Sequence, residues 1–199
     1  RHRDLSERQY AVVDMVEWHY QLFADGHVDG GRVAAASADE KESFSMQRAL
    51  AINEWLHPSR TDYVVSYCDN QPMRLSQLRQ QVQALCGALL AQPGQRWALC
   101  FDDSYLFTAA LLAALHAGKT VIIPGHCRPS LLEEQSDLFD GLLTDIDFAL
   151  SCPQLRVGAA QHTDTPALPP VSADTAVVLF TSGSTGKPRL VRKPVACLD

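Results

Sequence analysis

Apolar positions fall into helix-like and strand-like patterns that alternate from about residue 74 onward. In the first segment they recur at steps of three and four, which predicts an amphipathic helix that Pro93-Gly94 ends. These positions are Leu75, Leu78, Val82, Leu85 and Leu89. The next run, RWALCF (96–101), is short and apolar and predicts a buried strand. A second helix is predicted over DDSYLFTAALLAALHAG (102–118).

This second helix carries local start and stop signals. Asp103 or Ser104 is suited to accept hydrogen bonds from the first free amides of the helix, and Gly118 suits the left-handed conformation after its end. We therefore interpret Asp102 and Asp103 as capping residues rather than as a catalytic acid–base pair.

The alternation continues to the end of the chain. The proline of a predicted helix, Pro129, is well placed in its first turn. The segments are a strand KTVIIP (119–124), that helix (128–139), a short strand GLLTD (141–145), a loop (153–172) and a strand AVVLF (176–180). Strands that alternate with helices predict an α/β fold with a mainly parallel sheet and flanking helices.

The first residues of the chain follow a different pattern. Residues 5–23 have apolar positions at helical spacing, and 1–23 are predicted to be an N-terminal helical extension that docks on its own domain; contact with a partner or membrane is the alternative. Residues 24–45 are small, polar and rich in glycine, which is typical of a flexible linker. We expect the ordered domain to cover 46–199.

Composition narrows the class of protein. The chain has 199 residues and a formal charge of −6, which gives no indication of a nucleic-acid partner. Its longest apolar run (105–115) is too short for a transmembrane segment, and no signal segment opens the chain. The cysteines form no C-x-x-C pair and are predicted to be reduced core residues of a cytoplasmic protein. They are Cys68, Cys86, Cys100, Cys127, Cys152 and Cys197. No metal site is predicted, because the histidines lack metal-ligand spacing.

The segment VVLFTSGSTGKPRLV (177–191) combines glycines, hydroxyls and cations behind an apolar strand. Glycines allow successive backbone amides to form a concave anion site, hydroxyls add donors, and a lysine supplies positive charge. A loop at the carboxyl end of a strand also lies where open α/β sheets usually bind ligands. The pattern therefore predicts a phosphate site, and the alternative is a ligand-free turn between two strands.

Two common phosphate-binding motifs do not fit this loop. A P-loop needs glycine at position 181 and a hydroxyl at 188, where this chain has Thr181 and Pro188. Pro188 and the β-prone residues after it also oppose the helix that follows a P-loop. The dinucleotide motif fails because Thr185 stands where a glycine is needed.

The loop instead resembles the phosphate-binding signature of the adenylate-forming superfamily, which includes acyl- and aryl-CoA synthetases, luciferases and the adenylation domains of peptide synthetases. The matching stretch is LFTSGSTGKPR. Two upstream stretches, RLSQLRQQVQALCGALLAQPGQRWALCF and LLAALHAGKTVIIPG, resemble an early helix–strand unit and a later helix–turn–strand unit of that family. Together they cover much of residues 74–191. The resemblance implies that 46–199 is the first part of the large N-terminal adenylation domain.

The resemblance implies an ATP-dependent ligase that activates a carboxylic acid as an acyl- or aryl-adenylate with Mg²⁺. The acyl group then passes to the thiol of CoA or of an acyl-carrier protein. The loop would hold the β- and γ-phosphates of ATP, through Thr181, Ser182, Gly183, Ser184, Thr185, Gly186 and Lys187. No catalytic or metal-ligating residue of the family is expected within these residues, because its adenine, ribose, hinge and lysine motifs would follow position 199. We therefore expect the fragment alone to be inactive.

The chain departs from the family pattern just after the loop. Arg189-Leu190 replace the usual Lys-Gly, and RKP (192–194) stands near the place of a usual Thr-His pair. Arginine keeps the charge but is a planar fork rather than a compact ammonium. These departures leave a second hypothesis open, in which the chain is a degenerate relative that binds a nucleotide or a protein partner without catalysis.

Overall fold

A computed structural model of the chain describes residues 50–68, 70–158, 167–181 and 189–197. Its strands are β1 (Val64–Cys68), β2 (Gln71–Arg74), β3 (Arg96–Cys100), β4 (Thr120–Ile123), β5 (Gly141–Thr144), β6 (Gln154–Arg156), β7 (Ala176–Thr181) and β8 (Arg189–Pro194). Its helices are α1 (Ile52–Trp55), α2 (Leu75–Leu90), α3 (Ser104–His116) and α4 (Pro129–Glu134), with short 3-10 helices at Ser136–Leu138 and Val195–Cys197.

The main sheet has six strands in the order β6-β5-β3-β4-β7-β8. Neighbouring strands from β6 to β7 are parallel, and only β8 runs antiparallel, against β7. Helices connect the successive parallel strands β3, β4 and β5. The prediction of an α/β fold with a mainly parallel sheet and flanking helices is confirmed.

The central strand β3 is buried on both faces, which explains its continuous apolar run. Trp97 and Leu99 belong to one apolar cluster, whereas Ala98 and Cys100 belong to another, because successive side chains of a strand point to opposite faces. Helices α2 and α3 contribute to the first cluster, and Leu132 of α4 contributes to the second. The sheet therefore lies between two apolar layers.

The helices follow the apolar periodicity of the sequence. In α2 the buried residues include Leu75, Leu78, Val82 and Leu89. Helix α4 starts at Pro129 as predicted, but the helical segment divides into α4 and the 3-10 helix Ser136–Leu138. The chain leaves α3 through Gly118, whose φ of +68° is the left-handed conformation expected there.

Two features differ from the sequence-based predictions. Strands β1 and β2 form an antiparallel hairpin whose turn contains Asn70 at φ +63°, although no strand was predicted there. Strand β6 lies within the segment 153–172 that was predicted to be a loop. Strand β6 has three residues and pairs in parallel with the buried β5, so backbone pairing rather than side-chain alternation defines it.

The cysteines also differ in part from their prediction. Cys86 and Cys100 are buried, whereas Cys127 and Cys152 are half-buried in loops and Cys197 is exposed in the last 3-10 helix. The prediction of core positions was therefore wrong for Cys197, which follows the edge strand β8. All five of these residues are free cysteines.

No helix in the described ranges is long and apolar enough to cross a membrane. The predicted helical extension (1–23) and the predicted linker (24–45) lie outside the described residues, as does the predicted domain start at Met46.

Candidate functional site

The parallel strands of the sheet all end at one edge, which we call the carboxyl edge. It comprises the last residues of β3, β4, β5, β6 and β7 and the loops that follow them. In open parallel sheets this edge is where ligands usually bind, because loops from several strands converge there. The loop after β7 is the segment for which a phosphate site is predicted.

The two strands that flank this loop define its position. Strands β7 and β8 pair along their whole length, from Ala176 opposite Pro194 to Thr181 opposite Arg189. The ends of the loop are therefore neighbours across an antiparallel pair. A strand rather than a helix follows the loop, in agreement with the exclusion of a P-loop.

Among the candidate phosphate-binding residues, the described part of the chain includes Thr181, which is the last residue of β7. Ser182, Gly183, Ser184, Thr185, Gly186 and Lys187 lie outside the described residues. The role assigned to these seven positions remains a prediction.

The loop after β3 is held by a carboxylate from the loop after β5. Asp145 accepts the backbone N–H of Asp102 at 3.0 Å and the backbone N–H of Asp103 at 2.9 Å. Asp103 in turn accepts the backbone N–H of Leu106 at 2.9 Å and caps α3. The Asp103 carboxylate has the capping role that the sequence predicts, and the distant brace by Asp145 was not foreseen.

A contact between two cysteines lies on the same edge. Cys100 is the last residue of β3 and is fully buried, and Cys127 is half-buried in the loop between β4 and α4. Cys127 packs against the apolar cluster that contains Cys100. The two residues lie near each other because β3 and β4 are paired in parallel and end side by side.

The pKa values of the two thiols shift in opposite directions. The hydrogen bond from Cys100, reinforced by the amide of Phe101, lowers the pKa of Cys127 against the opposing effects of burial and of the Asp102 and Asp145 charges. The same thiol–thiol bond, together with burial, raises the pKa of Cys100. Cys127 is therefore the member of the pair that ionises more readily.

The loop after β4 also approaches the end of β7. A Cβ placed on Gly125 would lie 3.9 Å from the backbone oxygen of Phe180, the residue before Thr181. The Cys127 loop is thus adjacent to the strand end from which the predicted phosphate loop departs.

Charged groups on the β5 and β6 side of the edge are engaged with one another. Arg156 forms an ion pair with Asp147 and donates through Nη2 to the backbone oxygen of Asp145 at 3.2 Å. No group of three or more His, Cys, Asp or Glu side chains able to hold a metal ion occurs among the described residues. Arg189, which follows the predicted phosphate loop in sequence, is the first residue of β8.

The sequence analysis did not predict the brace by Asp145 or the packing of Cys100 and Cys127 in one apolar cluster. One local signal for the brace is present in the sequence, because Asp145 is a polar residue that directly follows the buried strand β5. The cysteine pair carries no such local signal, because the two residues come from different loops.

The sequence of the chain was compared with family profiles and with curated proteins. No protein-family profile matches the chain. A nonribosomal peptide synthetase, ivoA of Emericella nidulans, is 30% identical over half of this chain, which corresponds to 7% of that protein. The chain thus spans a small part of the curated relative that it matches.

Solved structures share the fold. The N-terminal subdomain of Klebsiella oxytoca NpsA in complex with anthranilyl-AMSN matches 72% of this chain and 40% of its own at 25% identity, with a TM-score of 0.57. A malonyl-CoA ligase with methylmalonyl-CoA and AMP bound matches 73% of this chain and 33% of its own at 17% identity, with a TM-score of 0.56. The fold is that of the N-terminal part of such enzymes.

Proposed function

We propose that this chain, which shares the fold of the adenylate-forming superfamily, carries the phosphate-binding part of an ATP-dependent ligase that activates carboxylic acids. The reaction joins ATP and a carboxylate to an acyl- or aryl-adenylate with release of pyrophosphate, and then transfers the acyl group to a thiol. The resemblance recognised in the sequence and the shared fold together support this assignment.

One observation carries the proposal. The segment SGSTGKP (182–188) leaves the carboxyl end of a parallel strand, and its ends are joined by the pairing of Thr181 with Arg189. A loop at this edge, rich in glycines and hydroxyls, suits an anionic ligand that approaches from outside the sheet. The strand β8, which directly follows the loop, distinguishes it from the loop of P-loop proteins.

The residues of the loop would act by binding and orienting the triphosphate. Gly183 and Gly186 allow the backbone amides to approach the phosphate oxygens closely, and Ser184 and Thr185 add hydroxyl donors. Lys187 supplies a positive charge where negative charge increases as pyrophosphate departs. Donors that are fixed before the reaction stabilise such charge without reorganisation, and this stabilisation is usually the main source of an enzyme's rate enhancement.

Magnesium would neutralise the same phosphate oxygens when it is bound with ATP. Mg²⁺ commonly binds through substrate phosphates and keeps several waters. The chain's own contribution would then be the amides, hydroxyls and Lys187 around the phosphates.

The second half-reaction would use the thiol of CoA or of an acyl-carrier protein. One similar protein is a peptide synthetase and another is a CoA ligase with a CoA ester bound, so both acceptor classes are represented. An acceptor assay with each thiol would assign the class. We propose the cytoplasm as the compartment of the reaction, because the cysteines are predicted above to be reduced.

Exchange of labelled pyrophosphate into ATP tests the proposal. With a panel of aliphatic, aromatic and amino acids, the full-length gene product should show carboxylate-dependent exchange. Lys187→Ala should lower the rate about 100-fold, in line with the loss of one fixed donor to a developing anion. Lys193→Ala in β8 is the matched control and should leave the rate unchanged. Absence of exchange with every acid would contradict the proposal.

The second hypothesis, a non-catalytic nucleotide-binding relative, is favoured by one observation. Arg192, within the divergent RKP stretch, donates to the backbone oxygen of Asp174 at 3.3 Å and so contributes to the structure around β7. Calorimetry that shows ATP binding by a protein without exchange activity would favour this hypothesis over the ligase.

A further inference from the structure

His116 is a buried polar residue that the proposed reaction does not use. It is the last residue of α3, and only 6% of its surface is exposed. Its Nδ1 lies 2.7 Å from the backbone oxygen of Pro169, in the segment 167–171 that precedes β7. This contact joins the end of α3 to the segment of the chain that leads into β7.

The partner of Nδ1 defines which ring nitrogen carries the hydrogen. A carbonyl oxygen can only accept, so Nδ1 carries a hydrogen and donates it to Pro169. In the neutral ring, Nε2 then has a lone pair and no hydrogen. Nε2 is buried, and no described residue is hydrogen-bonded to it. The site therefore suits a neutral imidazole with its hydrogen on Nδ1.

A proton on Nε2 would place a charge and an additional donor at a buried position. Both are unfavourable there, because neither water nor a described residue would pair with them. Burial accordingly lowers the pKa of His116 from its ordinary value and outweighs the Pro169 carbonyl, which raises it. The ring therefore takes up a proton more readily when it is outside this site than when it is in place.

The elements around His116 offer no negative charge to a cation. Helix α2 and strands β3 and β4 pack against α3, and none of these four elements contains Asp or Glu, nor does the segment 167–171. Their cations are bound by other groups: Arg79 and Lys119 donate to backbone oxygens, and Arg96 pairs with Asp140. The remaining titratable groups of these elements and of α1 are the buried Cys86, Cys100 and Tyr105 and the exposed Glu54.

A second polar contact holds the same segment in place. Asn53 of α1 accepts the backbone N–H of Val171 through Oδ1 at 2.7 Å and donates to the Val171 oxygen through Nδ2 at 3.3 Å. Leu168 and Val171 also pack against the apolar cluster formed by α2 and α3. The Val171 amide is thus protected from solvent while the segment is in place, and its exchange reports on opening.

We propose that the contact of His116 with the segment 167–171 is a pH-sensitive switch, closed while the imidazole is neutral and opened when the ring leaves its site and takes up a proton. The closed form is most stable above pH 6.5, the ordinary pKa of the exposed ring, and loses stability as the pH falls below that value. Each further unit of pH should favour the open form by up to about tenfold, because opening binds one proton.

Hydrogen exchange of the Val171 amide, followed by nuclear magnetic resonance from pH 7.5 to pH 5.5, tests the switch. After correction for intrinsic exchange, the protection factor should fall several-fold, by up to about tenfold. The Leu106 amide, at the other end of α3, should change less. A fall of less than twofold for Val171, or an equal fall for Leu106, would overturn the proposal.

Two histidine variants assign the effect to one ring. The amide of His116→Gln can donate to Pro169 but does not titrate, so the protection of Val171 should no longer depend on pH. The matched control, His57→Gln, replaces an exposed histidine and should keep the full dependence. The same pH dependence in His116→Gln as in the unsubstituted protein would contradict the role of His116.

Nitrogen-15 resonance of the histidine rings gives a readout that needs no substitution. At pH 7.5 we expect His116 to carry its hydrogen on Nδ1 and none on Nε2, which is the reverse of the form that histidine prefers in water. A hydrogen on Nε2 at this pH would contradict the assigned contact. A charged ring that keeps its bond to Pro169 would overturn the switch.

Opening would also act on the start of β7. Residues 172–175 join the segment to β7, and the Thr175 oxygen accepts the backbone N–H of Val195 at 2.8 Å, directly after β8. An effect on the loop between β7 and β8 rests on the proposed function. Pyrophosphate exchange should then fall several-fold more between pH 7.5 and pH 5.5 in the unsubstituted protein than in His116→Gln.

The two readouts separate this inference from the proposed function. An equal pH dependence of pyrophosphate exchange in the two proteins would overturn the effect on activity. If no exchange occurs but the protection of Val171 depends on His116 and on pH, the ligase proposal fails and the switch stands.

Discussion

Strand β5 begins after Asp140 and ends before Asp145, and these two aspartates brace β3 at opposite ends. Asp140 accepts the backbone N–H groups of Gln95 and Arg96, each at 2.9 Å, just where β3 begins. Asp145 accepts those of the two residues that follow the end of β3. At each end of the β3–β5 pair, therefore, one carboxylate accepts hydrogen bonds from two consecutive backbone amides.

The difference lies in the charge opposite each carboxylate. Arg96 donates through Nη2 to Asp140 at 2.6 Å, and this bond, with the two amides, lowers the pKa of Asp140 to about 2. Lys119 also donates to the backbone oxygens of Gln92 and Gly94 nearby, at 3.1 and 2.8 Å. At the other end, Arg156 contacts the backbone oxygen of Asp145 and pairs with Asp147 instead.

We interpret this contrast as one between an edge that stabilises the fold and the edge at which we propose that the ligand binds. At the amino edge, the cations of the chain are engaged with its own carboxylate and carbonyl groups. At the carboxyl edge, the Asp145 carboxylate accepts two backbone amides, and the nearby Arg156 pairs with Asp147. Substitutions at the amino edge should therefore change stability, whereas substitutions in the loop after β7 should change ligand binding.

The largest stability effect is expected for Gly141→Ala at the amino edge. A Cβ on Gly141 would lie 2.6 Å from Cζ3 of Trp97, a fully buried ring that cannot move without disturbing the core. Overpacking of this kind costs about 3 kcal/mol of unfolding free energy. The measurement is urea denaturation.

Gly87→Ala in α2 is the matched control, because a Cβ there meets nothing within 4 Å. This variant should be neutral or more stable by up to about 1 kcal/mol, since alanine is the better helix former. Equal losses in the two variants would show that the Trp97 contact does not constrain the amino edge.

Asp140→Asn should have the next largest effect on the free energy of unfolding, and this effect should exceed that of Asp145→Asn. The first substitution removes the negative charge beside Arg96 and leaves one acceptor oxygen where the carboxylate used two, one for Arg96 and one for the amides, so we expect a loss of about 2 kcal/mol. The second also leaves one acceptor oxygen in place of two but removes no partner of an arginine side chain, and it should cost about 1 kcal/mol. Both are measured by urea denaturation at neutral pH, and a larger loss in Asp145→Asn would reverse the comparison.

The loss of stability in Asp140→Asn should also depend on pH. Its pKa is lowered from 3.8 to about 2, mainly by the Arg96 hydrogen bond, so the carboxylate stabilises the fold above pH 3.8. That contribution is lost as the pH falls through 2. Because the side chain is 30% exposed, we discount it to about 1 kcal/mol. The stability difference between the protein and Asp140→Asn should shrink from pH 5 to pH 3; a constant difference would contradict the assigned pairing.

An effect as small as that of Asp145→Asn is expected at the start of α3. Asp103→Ala removes the side-chain acceptor for the Leu106 amide and should cost about 1 kcal/mol. Ser104→Ala, one residue later, should change the unfolding free energy little, because Asp103 is the capping residue. A loss in Ser104→Ala equal to that in Asp103→Ala would assign the cap to both positions.

Local sequence signals predicted much of the fold. The steps of three and four in α2, the apolar run of β3 and the β-branched residues of β4 each have a period that the sequence displays directly. The hairpin of β1 and β2 was missed because Pro72 interrupts β2 and neither strand alternates clearly. Strand β6 was missed because three residues do not establish a period.

The candidate site also combines features that local sequence predicts with features that it does not predict. The cap at Asp103 and the turn at Gly118 depend on neighbours in sequence and were predicted correctly. The brace by Asp145 and the packing of Cys127 against the cluster of Cys100 depend on which strands pair, because that pairing brings together residues from separate loops. A single sequence carries no local record of such contacts.

The central claim is that Thr181–Lys187 form a phosphate cradle at the carboxyl edge. Nuclear magnetic resonance titration of the protein with ATP and Mg²⁺ tests it most directly, through the backbone amide signals of individual residues. We expect large shifts for the amides of Ser182, Gly183 and Gly186, and none for Gln95 and Arg96 at the amino edge. Binding of ATP that leaves the loop amides unshifted would contradict the claim.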